Sequence, residues 1–122
     1  MSEKKVVLAV DDNLQQLSEY KSILIPDYDL RVVKSASEAI AFLIRSKSDI
    51  ILLDIEMPNI NGFEFLEDLK KTPVNQNTAI IIISGNTGED FMAKAKQYNV
   101  DEVMQKPVKP EELITAIKKH IN

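Results

Sequence analysis

The chain has 122 residues, 44% of them hydrophobic and 28% charged, and 15 Lys and Arg against 19 Asp and Glu give a formal net charge of −4. That length fits one domain, 1–122, with enough apolar residues for a core, and the scattered basic residues lack the positive stripe needed to grip nucleic acid. The absence of cysteine excludes disulfides and thiolate metal sites, no apolar stretch approaches the ~20 residues of a membrane span, and the few residues ahead of the first strand leave no room for a signal peptide, so the sequence reads as cytoplasmic.

A first strand over Lys5 to Val10 leads into a helix with Leu14, Leu17 and Leu24 on one stripe, and Asp12 followed by Gln15 matches a capping box. Pro26 ends that helix. Leu30 to Val33 is a second strand, and Ser35 or Ser37 caps a helix with Ala36, Ala39, Ile40, Leu43 and Ile44 at helical spacing. The third strand, Ile50 to Leu53, is apolar throughout, which implies cover on both faces. The loop from Met57 to Gly62, containing Pro58, then opens a helix carrying Phe63, Leu66 and Leu69. After turn material at 73–77 comes a fourth strand, Ala79 to Ile83, and a helix with Phe91, Met92, Ala95 and Tyr98, ended by Asn99 in a left-handed conformation. A short fifth strand, Glu102 to Gln105, precedes a helix with Pro110 in its first turn and Leu113, Ile114, Ile117 and Ile121 facing inward.

Strands alternating with helices give an α/β fold with right-handed crossovers. The expected architecture is a flavodoxin-like (βα)5 three-layer sandwich whose parallel sheet has the order 2-1-3-4-5, because that order puts the switch point between strands 1 and 3. Ligands in such sheets bind beyond the strands' carboxyl ends. There the apolar runs stop on Asp11 and Asp12, on Asp54, on Ser84, and on Lys106 with Pro107.

Carboxylates ~5 Å apart repel by roughly 3 kcal/mol per pair at an effective dielectric near 20. Lys106 offsets part of this, so either some carboxyls stay protonated or a divalent cation occupies the site, and the cation is the better answer. With oxygen donors on offer and the lone His120 far away in the last helix, the ion selected is hard, Mg²⁺ or Mn²⁺. A carboxylate beside such an ion, with a hydroxyl and a lysine converging on it, suits the acceptance of a phosphoryl group. Asp54 stands alone at its strand end and is the nucleophile; Asp11 and Asp12 seat the metal; Ser84 and Lys106 steady the phosphoryl oxygens.

Taken jointly, the paired acids, the stretch from Asp54 through Met57 and Pro58 to Gly62, the Ser84-Gly85 step and Lys106-Pro107 resemble the receiver domain of two-component response regulators, including single-domain chemotaxis regulators. The resemblance covers essentially the whole chain. It implies transfer of phosphate to Asp54 from the phosphohistidine of a sensor histidine kinase or histidine phosphotransfer protein, or from a small donor such as acetyl phosphate. It implies Mg²⁺ held by Asp12, Asp54 and the backbone carbonyl of Glu56, with Asp11 acting through water, and a cis peptide at Lys106-Pro107. It places the output on the face of the fourth helix, fifth strand and fifth helix, and makes Glu56 and Asn86 the positions that tune loss of phosphate.

Val103 departs from the family pattern, which has Tyr or Phe three residues before the lysine. The switch linking Ser84 to position 103 is accordingly expected to be muted or rerouted. Gly62 is read as a backbone requirement, Phe63, Phe91, Met92 and Tyr98 as core, and His120 as an exposed helix-end cation. No separate enzymatic substrate is expected: a phosphatase using an aspartyl phosphate, as in the haloacid-dehalogenase family, would carry Asp-x-Asp after strand 1 and a cap insertion. A phosphate-independent binding module of the same fold is the other alternative. The downstream protein is left open, as is the choice between a monomer and a phosphorylation-dependent dimer, and a stand-alone regulator is favoured over a piece of a longer one.

Overall fold

The computed structural model describes residues 4–57, 62–71, 77–85 and 88–121. Strands β1 (Val6–Val10), β2 (Asp29–Val33), β3 (Ile50–Leu53), β4 (Ala79–Ser84) and β5 (Glu102–Gln105) alternate with helices α1 (Leu14–Leu24), α2 (Ala36–Arg45), α3 (Gly62–Lys70), α4 (Glu89–Gln97) and α5 (Pro110–Ile121). The sheet is parallel with the expected order β2-β1-β3-β4-β5.

The pleat divides each central strand between two cores. Leu8, Val10, Ile51, Leu53, Ile80 and Ile82 pack against Ala39 and Leu43 of α2, Phe65, Leu66 and Leu69 of α3, and Ala95 of α4. Val7, Ala9, Ile50, Leu52, Ile81 and Ile83 face Leu17, Tyr20 and Leu24 of α1 and Leu113, Ala116 and Ile117 of α5. Every residue of β3 and β4 is buried, which is why those strands read as unbroken apolar runs. Each fully buried Leu or Ile contributes about 1.5–3 kcal/mol of transfer free energy.

Several local expectations are corrected. The N-cap of α1 is Asn13, whose side chain accepts from the Gln16 amide, not Asp12; the helix starts one residue later than the capping-box signature suggests, and Asp12 is left exposed beyond β1. Leu14, the first residue of α1, is exposed because it lies past the end of the sheet that would cover it. Ile44 is exposed too: it stands about 100° around α2 from Leu43, off the buried stripe. Met92 is exposed rather than core. Other details agree with the sequence. Ser35 caps α2, accepting from the Glu38 amide while Glu38 reaches back to the Lys34 amide and the Ser35 hydroxyl, and Asn99 has φ 57° after α4.

Candidate functional site

Parallel pairing aligns the ends of the strands. Val10 lies opposite Leu53 and Leu53 opposite Ile82, while Ser84 pairs with Gln105; Asp11, Asp54, Ser84 and Lys106 therefore leave the sheet side by side. Backbone bonds continue past the last strand pairs, from the Asp11 amide to the Val33 carbonyl, the Asp54 amide to Val10, and the Lys106 amide to Ser84. The rim is thus held as firmly as the sheet.

One carboxylate oxygen from each of Asp11, Asp12 and Asp54 lies within 4.8 Å of the other two. Asp11 is fully buried and Asp54 nearly so, whereas Asp12 faces solvent. Each of the two buried acids turns one oxygen to the chain just beyond it: Asp11 Oδ1 accepts from the Asn13 amide at 2.9 Å, and Asp54 Oδ1 from the Glu56 amide at 3.0 Å. Their second oxygens share the Lys106 ammonium, at 3.4 Å from Asp11 and 3.3 Å from Asp54. Burial pushes the Asp11 carboxyl above the usual carboxylate range, and the neighbouring Asp54 adds to this, against the Asn13 amide and Lys106. Burial pulls the Lys106 ammonium down, but the two carboxylates outweigh it and hold the lysine above its ordinary value. Tyr20, buried under the cluster, has its phenol pushed up by burial and then by Asp11 and Asp54.

Two buried acids sharing one lysine, with the exposed Asp12 beside them, keep excess negative charge in a confined space, and their donors are hard oxygens. The set fits an octahedral divalent ion such as Mg²⁺, which needs only a few carboxylates and keeps positions for water and phosphate.

Ser84 is fully buried at the end of β4. Its hydroxyl donates to Glu56 Oε1 at 2.5 Å, and the same oxygen accepts from the Gly85 amide at 2.9 Å. The resemblance gives Glu56 a backbone-carbonyl and a tuning role, while the reach of its side chain across the strand ends to Ser84 is visible only in the structure. The Lys106–Pro107 peptide is cis, in accord with the family resemblance. Gly62 is explained by close approach, not by a left-handed backbone: a Cβ there would run into Ile55 Cγ1. Pro58 and Asn86 lie outside the described residues.

Val103 pairs with Ile82 and packs, partly buried, on the α2–α4 side. The aromatic side chains gather elsewhere. Phe63 contacts Phe91 and Tyr98 at centroid separations of 5.9 and 5.1 Å, Lys94 sits 4.7 Å from the Phe63 ring, and the Tyr98 hydroxyl donates to Glu67. His120 is not the exposed cation expected. It is largely covered and bonds Glu102 at 2.8 Å, because α5 runs back along the sheet and brings its carboxyl end beside the start of β5. That is the end of the sheet away from Asp54.

The family model for the response regulator receiver domain matches residues 7–118. The chain is 32% identical over 123 residues to the hydrogenase transcriptional regulatory protein HoxA of Cupriavidus necator, covering 99% of this chain but 25% of HoxA. A CheY-like response regulator receiver domain from Methanospirillum hungatei JF-1 superposes with a TM-score of 0.89 at 27% identity, over 98% of this chain and 94% of that one. The chemotaxis protein CheY4 of Vibrio cholerae, at 24% identity, shares the fold with a TM-score of 0.91, over 97% of this chain and 99% of its own. Among the described residues no helix is long and apolar enough to cross a membrane.

Proposed function

This chain belongs to the response regulator receiver family, and on that premise we propose that it is a phosphorylation-controlled signalling domain, 1–122, whose acceptor is Asp54. The observation that carries the reading is the shared lysine: Lys106 Nζ lies within 3.4 Å of both Asp11 and Asp54 at the end of a parallel sheet. A structural ion pair needs one acid, whereas a second acid and the nearby Asp12 add repulsion that a proton on one carboxyl or, without giving up a ligand, a further cation relieves.

In this reading Asp11, Asp12, Asp54 and the backbone carbonyl of Glu56 hold Mg²⁺, with Mn²⁺ a chemically equivalent substitute. The ion supplies charge neutralisation to the phosphoryl oxygens. An Asp54 carboxylate oxygen forms a bond to phosphorus as the bond from phosphorus to the donor's imidazole nitrogen breaks, the leaving nitrogen keeping the electron pair. Lys106 and the Ser84 hydroxyl then pair with the phosphoryl oxygens. The donor is the phosphohistidine of a sensor histidine kinase or phosphotransfer protein. Water returns Asp54 to its free carboxylate at a rate tuned from Glu56 and Asn86. The output is a changed surface on α4, β5 and α5, with Ser84 coupled to it through Val103 and the backbone, since no ring stands at 103.

The test is intact-mass measurement after incubation with acetyl phosphate and Mg²⁺. A phosphate adduct in the wild type and its absence in Asp54→Asn are expected; an adduct undiminished in Asp54→Asn, or absent from the wild type, overturns the assignment.

A further inference from the structure

We propose that the Glu56 carboxylate is an internal stand-in for the phosphoryl group, occupying in the resting molecule the donors that a phosphorylated Asp54 would use. The inference rests on the phosphoacceptor reading of Asp54. One oxygen, Glu56 Oε1, takes both the Ser84 hydroxyl and the Gly85 amide. Both donors sit at the end of β4, the strand that flanks Asp54 on one side, while Lys106 reaches Asp54 from the next strand over. An anionic oxygen held by a hydroxyl and a backbone amide is what a phosphoryl group would place there, since it brings three such acceptors.

Glu56 is well placed to leave. Its side chain is exposed, while its amide is fixed to Asp54 Oδ1, so the carboxylate can swing into water without moving the backbone that orients the acceptor. Gly85 gives the carboxylate room, for even a Cβ there would stay 3.8 Å from Oε1. Phosphorylation then exchanges one anion for another on Ser84 and Gly85. Glu56 is a positioning residue that holds Ser84 toward the site and also competes with the group Ser84 is meant to bind.

A mere effect of charge and a stand-in of defined reach are separated by Glu56→Asp, which keeps the charge but is one methylene shorter. Two measurements on Glu56→Ala, Glu56→Asp and the wild type decide the matter. The first is the amide proton shift of Gly85 without Mg²⁺ or donor: it is expected to move upfield in both variants as the charged acceptor is lost. The second is the apparent affinity for beryllofluoride with Mg²⁺. It is expected to rise about tenfold in both variants, the gain from removing a blocked state that is nine-tenths populated. A Glu56→Asp variant that behaves like the wild type in both measurements overturns the proposal in favour of charge alone. Labelling of Asp54 with an unmoved Gly85 amide removes the stand-in and leaves the phosphoacceptor reading in place. If no form binds beryllofluoride or takes up phosphate, wild type included, both readings fall together.

Discussion

At the amino end of the sheet Asp49 accepts from the Val6 amide at 2.7 Å and Asp101 from the Ile80 amide at 2.8 Å, each on its own stretch of chain. At the carboxyl end Asp11, Asp12 and Asp54 bring oxygens within 4.8 Å of one another around a single lysine. The same residue type thus does two jobs. Spaced acids that cap strand amides close the backbone's hydrogen bonding, and the Asp49 and Asp101 amides return the favour by donating to the Val6 and Ile80 carbonyls. Crowded acids cost stability, and on the proposed reading that cost is offset by a charge that arrives from outside. An acid's packing against its neighbours, more than its burial, tells which kind it is.

Magnesium should break the symmetry between the two ends most strongly. An ion that binds only the folded chain adds about 2.7 kcal/mol at a concentration one hundred times its dissociation constant, a rise in Tm on the order of 10 °C for a domain of this size. The wild type and Asp49→Ala are expected to show this rise equally in thermal melts, and Asp12→Asn to lose most of it. A full rise in Asp12→Asn would mean that the carboxyl-end cluster is not the ion's seat.

Next in size is Lys106→Met without metal. It leaves two buried carboxylates facing each other with no cation, and after allowing for the partial exposure of the lysine the loss is about 2 kcal/mol by urea unfolding. Adding Asp54→Asn to Lys106→Met should restore part of it, since Asp11 then faces one buried carboxylate fewer, with only the exposed Asp12 left beside it; a further loss in the double variant contradicts the crowding. The same pair sets a pH dependence. Because Asp11 in the folded chain lies above its ordinary value of 3.8, the native state holds its proton more tightly than the unfolded one. Its contribution is therefore fully present below pH 3.8 and lost as pH rises through the folded value. The metal-free stability difference between wild type and Asp11→Asn is expected to shift against the wild type across that window, and a flat difference rules the mechanism out.

At the other end, Asp49→Ala removes the acceptor for the Val6 amide and is expected to cost about 1–2 kcal/mol, with Mg²⁺ affinity untouched. Loss of both would merge the two classes of acid.

Much of this is legible in the sequence. The ten elements, their order and the strand ends bearing Asp11, Asp54, Ser84 and Lys106 follow from unbroken apolar runs and helical periodicity, signals that repeat over many residues. What escaped depends on a single long-range contact. The bond from Ser84 to Glu56 joins residues 28 apart, and that between His120 and Glu102 joins residues 18 apart. Neither distance leaves a periodic trace. The exposure of Leu14 has a related reason, since helical spacing says which residues share a stripe but not where the sheet beneath them stops, whereas Ile44 stands at the edge of its stripe, about 100° from Leu43. Gly62 was legible as a constraint, yet its cause, the close approach of Ile55, belongs to the packed structure.

The smallest expected effect is the sharpest on local grounds, because it separates two adjacent residues that the sequence blurred. Asn13 caps α1 through the Gln16 amide, so Asn13→Ala should cost about 1 kcal/mol of stability with or without metal. Asp12 makes no such bond to the helix among the described contacts, and its carboxylate adds to a cluster already short of positive charge. Asp12→Ala should therefore leave metal-free stability unchanged or slightly raised, and forfeit stabilisation only when Mg²⁺ is added. Crossing the two substitutions with and without the ion gives a cycle in which the cap term is constant and the Asp12 term appears only with metal. A metal-independent loss in Asp12→Ala equal to that in Asn13→Ala would return Asp12 to the capping role its spacing from Gln15 first suggested, and would leave the exposed acid of the cluster without a reason to be there.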